Sequence, residues 1–266
     1  MTAGQAVSTS AGTVRLTIAG AVAAVVFDRP EAHNAMTWAM YEQFAAICKS
    51  LARDASIRVV TLRGAGGKAF VAGTDIDQFR QFEGGEDGIA YERRIDAGID
   101  LLERLPMPVV GIFDGWVVGG GLAIASACDL RIATPAARFG VPIAKTLGNC
   151  LSTANTARVV AGFGIGAAKR MLLLAEMLSA EEAQAAGFVT RVVAAEALDE
   201  VAAAMCARIA QHAPLTLHAS KETIRRVAGG DRSRNDDLIR LCYGSEDFRR
   251  GVAAFVAKTG AEWTGR

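Results

Sequence analysis

The chain has 266 residues, enough for one α/β domain with a large core, and its 51% apolar content, 21% charged content and net charge of +1 leave no basic footprint for nucleic acid or an anionic membrane. Five cysteines with no CxxC pair and three histidines in no ligand-spaced motif argue against a disulfide framework and against a metal site. A small neutral partner and reduced, mostly core thiols are expected.

Residues 1–12 have neither the basic nor the apolar segment of a signal peptide, and no later run is long enough to span a membrane. They read as a mobile tail on a cytoplasmic protein. Val14 to Ile18 and Val22 to Phe27 are short β-branched runs around Ala19-Gly20-Ala21, which predicts a hairpin-like pair ended by Asp28-Arg29-Pro30. Thr37 can cap a helix running to about Asp54, with Met40, Phe44, Ile47 and Leu51 as its core stripe. Val59 to Leu62 is the next strand, and a glycine-rich loop follows it from Arg63 through Gly73 to Asp75. Ile95, Ile99 and Leu102 mark a helix before Pro106.

The segment from Pro106 to Thr134 places a strand end, a glycine turn and a helix start in succession. Val109, Val110, Ile112 and Phe113 show no polar alternation, as expected of a parallel strand buried on both faces. Gly119-Gly120-Gly121 follows, then a small-residue helix from Leu122 to Cys128 and a short strand from Asp129 to Ala133. A glycine in a regular element costs about 0.5–1 kcal/mol relative to alanine, so something requires three in a row. Tight packing of helix on sheet is one reason; backbone N–H groups facing an anion or a developing oxyanion is another.

Beyond Phe139 the pattern is mostly helical, with Ser179-Ala180-Glu181-Glu182 as a capping box, Gly187 as the matching stop and Val189 to Val193 as a last strand. Gly162 to Ala167 fits GxGxxA, but Thr156 to Ala161 reads as helix and not as the strand a dinucleotide site needs, so the glycines are taken as a turn between helices. From Glu196 helices run to about Ala257, broken at Pro214 and Gly229-Gly230. Alternating strand and helix give an α/β core over residues 13–195, and residues 196–266 form a helical region of the same domain. The sequence itself shows no tandem repeat.

Four pieces in order carry a resemblance: Asp28-Arg29-Pro30 with Asn34-Ala35-Met36, Ala69 to Ile76, Gly119-Gly120-Gly121, and Glu246 to Gly251. Together they resemble the enoyl-CoA hydratase/isomerase (crotonase) superfamily. The resemblance implies a crotonase-like spiral of ββα units with a helical C-terminal trimerisation region, a homotrimer or dimer of trimers, and an acyl-CoA thioester as substrate with no further cofactor. It implies that the backbone N–H groups of Thr74 and Gly120 bind the thioester oxygen. It also implies that carbonyls near Ala32 and Ala72 meet the adenine end of CoA, with Asp75 and Ile76 beside them, and that Lys258 reaches a CoA phosphate from a neighbouring subunit.

The chain departs from that pattern where the proton chemistry should be. By the resemblance, the two carboxylates of the family fall at Ala123 and at Ile143, or Ala144 if the match slips by one, and none of these transfers a proton. Asp75 is a candidate replacement, although as a helix cap it needs no catalytic role. Asp77, Lys145, Asn149, Ser152 and Asn155 are others, while Cys150 is expected to be a buried thiol and His33 to lie near the CoA entrance. Three readings follow: an enoyl-CoA hydratase/isomerase-class enzyme working through a thioester enolate, a malonyl-type acyl-CoA decarboxylase that needs no base, and a non-catalytic acyl-CoA-binding protein.

Overall fold

The computed structural model describes residues 11–266. β1 (Thr13–Ala19) and β2 (Val22–Asp28) form the expected antiparallel hairpin, closed where Ala19 meets Val22. Thr37 caps α1 (Trp38–Leu51) by accepting the Met40 N–H, and Met40, Phe44 and Leu51 are buried beneath it. From β2 the first sheet continues through β3 (Val59–Gly64), β5 (Val109–Phe113), β7 (Leu130–Ala133) and β10 (Arg191–Val192), all in parallel. A second sheet is built from β4 (Ala69–Ala72), β6 (Trp116–Val118), β8 (Arg138–Gly140) and β9 (Leu178–Ser179), in that order.

After the β1–β2 hairpin, whose strands both lie in the first sheet, each of the next three turns of the spiral gives a strand to the first sheet, a strand to the second, and then a helix. β3 and β4 lead to α2 (Gly85–Glu103), and β5 and β6 to α3 (Gly120–Ser126). β7 and β8 lead to α4 (Ile143–Thr146) and α5 (Thr153–Leu173). This is the expected α/β spiral of ββα units. The C-terminal part adds α6 (Ala180–Ala185), α7 (Leu198–Ala210), α8 (Pro214–Ala228), α9 (Asp236–Tyr243) and α10 (Glu246–Ala257).

The unbroken apolar run of β5 has a direct cause. All five of its residues are buried, because one face meets the space between the sheets and the other meets α7. Val59, Val110, Ile112 and Ile132 pack there on Leu198, Ala202, Cys206 and Ile209. Between the sheets runs a ladder of rings, Phe27, Phe70, Phe113, Phe139 and Phe188, with successive centroids 5.3, 4.8, 5.8 and 5.5 Å apart, each pair edge to face. Each such pair contributes about 0.5–1.5 kcal/mol beyond the area it buries. The ladder joins the sheets and so fixes where their strand ends lie.

Several sequence expectations are corrected. The loop from Arg63 to Asp75 contains a strand, β4, and Trp116–Val118, ahead of the glycine triplet, is a separate short strand of the second sheet. The expected strand from Val189 to Val193 shrinks to Arg191–Val192. The glycines of Gly162 to Ala167 do mark a break between helical segments, as expected: α5 is interrupted at Gly164, whose backbone is non-helical (φ 78°, ψ 159°). Helix, not strand, precedes them, and the dinucleotide motif lacks its context. Of the expected N-terminal tail, residues 1–10 lie outside the described residues. Ala11 accepts a hydrogen bond from the Thr37 hydroxyl (2.8 Å) and Gly12 lies against Met40 and Arg29, so these two are held on α1.

Candidate active site

Two turns at the ends of adjacent strands of the second sheet make the site. β4 ends at Ala72, and Gly73 and Thr74 follow alongside the loop after β2. Met36 N–H donates to the Gly73 carbonyl (2.9 Å), Asp75 N–H to the Met36 carbonyl (2.9 Å) and Ala72 N–H to the His33 carbonyl (3.1 Å). The buried Asn34 holds that loop: its amide donates to the carbonyls of Ala65 (2.9 Å) and Ala69 (2.8 Å), and its oxygen accepts the Arg29 N–H (2.8 Å). β6 ends at Val118, and the glycine triplet turns the chain into α3.

The glycines have different reasons. Gly119 takes φ 55°, ψ −121°, which a residue with a Cβ adopts only with strain, and its N–H donates to the Gly140 carbonyl (3.0 Å). Gly121 faces the Val71 carbonyl so closely that no Cβ fits between them. Packing and turning therefore account for the outer two, while Gly120 is left at the first position of α3. The turns touch: a Cβ on Gly119 would lie 3.7 Å from Gly73 Cα, and one on Gly120 would lie 3.6 Å from Thr74 Oγ1. Among the described residues neither the Thr74 N–H nor the Gly120 N–H meets an acceptor. Two backbone donors without a partner among the described residues thus lie on touching turns.

Behind them lies a cluster of hydroxyls that sequence reasoning did not find. Thr74 Oγ1 shares hydrogen bonds with Tyr41 Oη of α1 (2.7 Å) and Tyr91 Oη of α2 (2.6 Å). A Cβ on Gly120 would also come within 3.1 Å of Tyr41 Oη. Burial pushes the Tyr41 phenol well above its ordinary pKa, with Tyr91 adding to the shift, and burial raises Tyr91 as well. Both stay protonated at neutral pH and act as hydrogen-bonding phenols, not as bases. Tyr41 adjoins the core stripe of α1, which is why it reads as packing in the sequence. Tyr91 is ringed by Trp38, Phe79 and Phe82, at centroid distances of 5.8, 5.0 and 6.2 Å.

Beyond Tyr91, α2 faces the start of α5. The Glu92 carboxylate accepts the Ser152 N–H (2.9 Å), and Asp96 accepts the Ser152 hydroxyl (2.8 Å). Burial raises the Glu92 carboxyl above its ordinary pKa; the Ser152 N–H opposes the shift and the Asp96 charge adds to it. Further along, Arg158 is held by Asp100, Glu103 and the side chain of Asn155.

The residues singled out in the sequence are placed as follows. Ala123 is 1% exposed on α3 within the core, and Ile143 opens α4, half-buried against that core. Asp75 caps the 3₁₀ turn Ile76–Phe79, accepting the Asp77 N–H (3.1 Å), and pairs with Arg29 (2.7 Å), so its charge is engaged structurally. Ile76 is exposed. The Ala32 carbonyl accepts the Ala35 N–H (3.0 Å), and its loop runs beside Ala72. Lys258 caps α10 in the left-handed region and is exposed. Lys145, Asn149 and Cys150 are exposed, which corrects the expectation of a buried Cys150: the loop ahead of the Ser152 cap lies on the surface. Cys48, Cys128 and Cys206 are the buried thiols, the first two pushed up to about 12 by burial. A cavity of about 930 Å³ lies elsewhere, between α5, α7 and α8, and none of the residues of the two turns lines it. Among the described residues no group of three or more His, Cys, Asp or Glu is arranged to hold a metal, and no helix is long and apolar enough to cross a membrane.

The sequence profile described as enoyl-CoA hydratase/isomerase matches residues 17–266. The chain belongs to that family. It is 32% identical to a short-chain-enoyl-CoA hydratase of Clostridium acetobutylicum, over 90% of this chain and 92% of that one. It is 34% identical to an (E)-benzylidenesuccinyl-CoA hydratase of Thauera aromatica, over 91% of this chain and 95% of that one. A crystal structure titled enoyl-CoA hydratase/carnithine racemase, from Magnetospirillum magneticum, superposes with a TM-score of 0.89 at 35% identity, covering 95% of this chain and 96% of that one. This member of the enoyl-CoA hydratase/isomerase family is therefore an enzyme of that class, and the turns described above belong to an acyl-CoA-processing fold.

Proposed function

We propose that this family member binds an acyl-CoA with its thioester oxygen between the N–H groups of Thr74 and Gly120, and stabilises there the enolate formed at the α-carbon. The observation that carries the reading is the pair of unpartnered donors on touching turns. One preorganised donor to a developing oxyanion is worth about 2.7–4 kcal/mol, so two account for much of the stabilisation an enolate needs. Ala32, Ala72 and Ile76 line the CoA side of the first turn in this reading. Asp75, tied to Arg29, fixes the turn's shape, and Lys258 serves a CoA phosphate on a neighbouring subunit. Assembly as a homotrimer or dimer of trimers has its support in the apolar face of α9 and α10, where Tyr243, Phe255 and Val256 are 65%, 86% and 77% exposed.

The aromatic wall of Trp38, Phe79, Phe82 and Tyr91 suits an apolar or aryl acyl chain. Incubation with crotonyl-CoA, 2,3-dehydroadipyl-CoA and benzylidenesuccinyl-CoA, and with their saturated counterparts in deuterated water, tests the reading. Hydration, or deuterium uptake at the α-carbon, is expected with at least one ester; neither with any would remove it. The apolar settings of Ala123 and Ile143 favour a second reading, decarboxylation of a malonyl-type ester. Release of CO₂ from methylmalonyl-CoA, with no hydration of the enoyl esters, would put that one in its place.

A further inference from the structure

The apolar residues at positions 123 and 143 leave the proton transfer without an owner, and the carboxylates around the site narrow the choice. Asp75 is paired with Arg29, Glu42 with Arg94, and Asp100 and Glu103 with Arg158. Asp96 accepts a hydroxyl hydrogen bond from Ser152. Glu92 is different. It is half-buried, its one hydrogen-bond partner among the described residues is the Ser152 N–H at 2.9 Å, and no cation among them pairs with it. It also directly follows Tyr91, whose hydroxyl is bonded at 2.6 Å to the side chain of Thr74. The first turns of α2 are thereby fixed against the donor turn, and a carboxylate with a free oxygen stands at the junction of α2 and α5.

We propose that Glu92 is the acid–base group of this site, taking the place of the carboxylates that Ala123 and Ile143 do not supply. The inference rests on the enolate reading above. A Glu92 oxygen takes the proton as the α-carbon C–H bond breaks, and the electron pair moves into the enolate, placing negative charge on the thioester oxygen between Thr74 and Gly120. Return of that proton, or of a solvent deuteron after the carboxyl has exchanged, restores the C–H bond. The groups facing Glu92 are Tyr91 and Asp96 on its own helix, Tyr41 on α1, and on α5 the Ser152 N–H and, further along, Arg158 with its two carboxylate partners. Burial and Asp96 both disfavour the ionised form, which strengthens the base once formed. A carboxylate that only caps α5 would explain the Ser152 contact but would not influence exchange at a substrate carbon.

Deuterium uptake at the α-carbon of butyryl-CoA and adipyl-CoA, followed by mass spectrometry, separates the two. In Glu92→Gln the uptake rate is expected to fall at least about 10²-fold, with the KM for the ester changed only a few-fold, and Glu92→Asp is expected to recover part of the rate. In the wild type the rate should rise with pH through an inflection above the ordinary glutamate value of about 4.3, and Glu92→Gln should lose that inflection. Uptake by Glu92→Gln at the wild-type rate overturns the assignment and leaves the enolate reading standing. Should Glu92→Gln not fold, a wild-type rate with no inflection between about pH 4 and 8 overturns it equally. No uptake by the wild type with either ester, and no turnover of the enoyl esters, removes both readings.

Discussion

In the proposed enolate site Thr74 contributes in two separable ways, through its N–H toward the thioester oxygen and through its hydroxyl, which bonds the two tyrosines. Thr74→Val keeps the first and removes the second. The two phenols then lose a shared partner and keep only each other, and a typical hydrogen bond contributes about 0.5–1.5 kcal/mol. A lower urea midpoint is expected, together with a reduced kcat/KM because the donor turn loses its clamp. An unchanged midpoint and rate would mean that the cluster does not hold the turn. As positions, Gly120, Thr74, Ala123 and Ile143 were all legible in the sequence, because a motif places them in order. Glu92 was not, because its partner Ser152 stands 60 residues away and only the packing of α2 on α5 joins them. Nor was the setting of Ala123: at 1% exposure within the core, a glutamate introduced there would lose its hydration, so Ala123→Glu tests burial as much as catalysis.

At the scale of elements, legibility followed length and period. The stripe of α1 and the capping box at Ser179 and Glu182 were readable because each contains its own signal. The strands of the second sheet are four residues or fewer, too short for a period to show, and so β4 was taken for loop and β6 was not singled out as a strand. Another tertiary feature unannounced in the sequence is the clamp on α10. Burial by itself would raise the Asp247 carboxyl, yet the N–H groups of Thr264 (2.8 Å) and Gly265 (2.7 Å) and the Thr264 hydroxyl (3.0 Å) hold it below its ordinary value. The sign follows: the folded-state pKa is the lower one, so the clamp stabilises fully above the unfolded-state value of about 3.9 and weakens as pH falls through the folded-state value. Asp247→Asn is expected to speed hydrogen exchange in residues 258–266 at neutral pH, and the wild type should show the same loss on acidification. Unchanged protection in the variant would contradict this.

For the molecule as a whole, alternation of strand and helix identified an α/β fold, and the ordered motifs identified the spiral. What the sequence concealed is the repeat. Each ββα turn from β3 to β8 contributes a strand to each sheet, but the recurring quantity is geometric: where a strand ends and which sheet it joins. The phenylalanine ladder that fixes the spacing of the sheets takes rings from β2, β4, β5 and β8 and from the segment after α6, with no fixed interval between them. That architecture brings the ends of β4 and β6 together, and with them Thr74 and Gly120. It also leaves a cavity of about 930 Å³ between α5, α7 and α8, away from the turns. A crystal structure with a non-hydrolysable acyl-CoA analogue decides between these two locations. The thioester-equivalent oxygen is expected about 2.7–3.1 Å from the nitrogens of both Thr74 and Gly120. An acyl group seated in the cavity between α5, α7 and α8, with both donors unoccupied, would contradict the account.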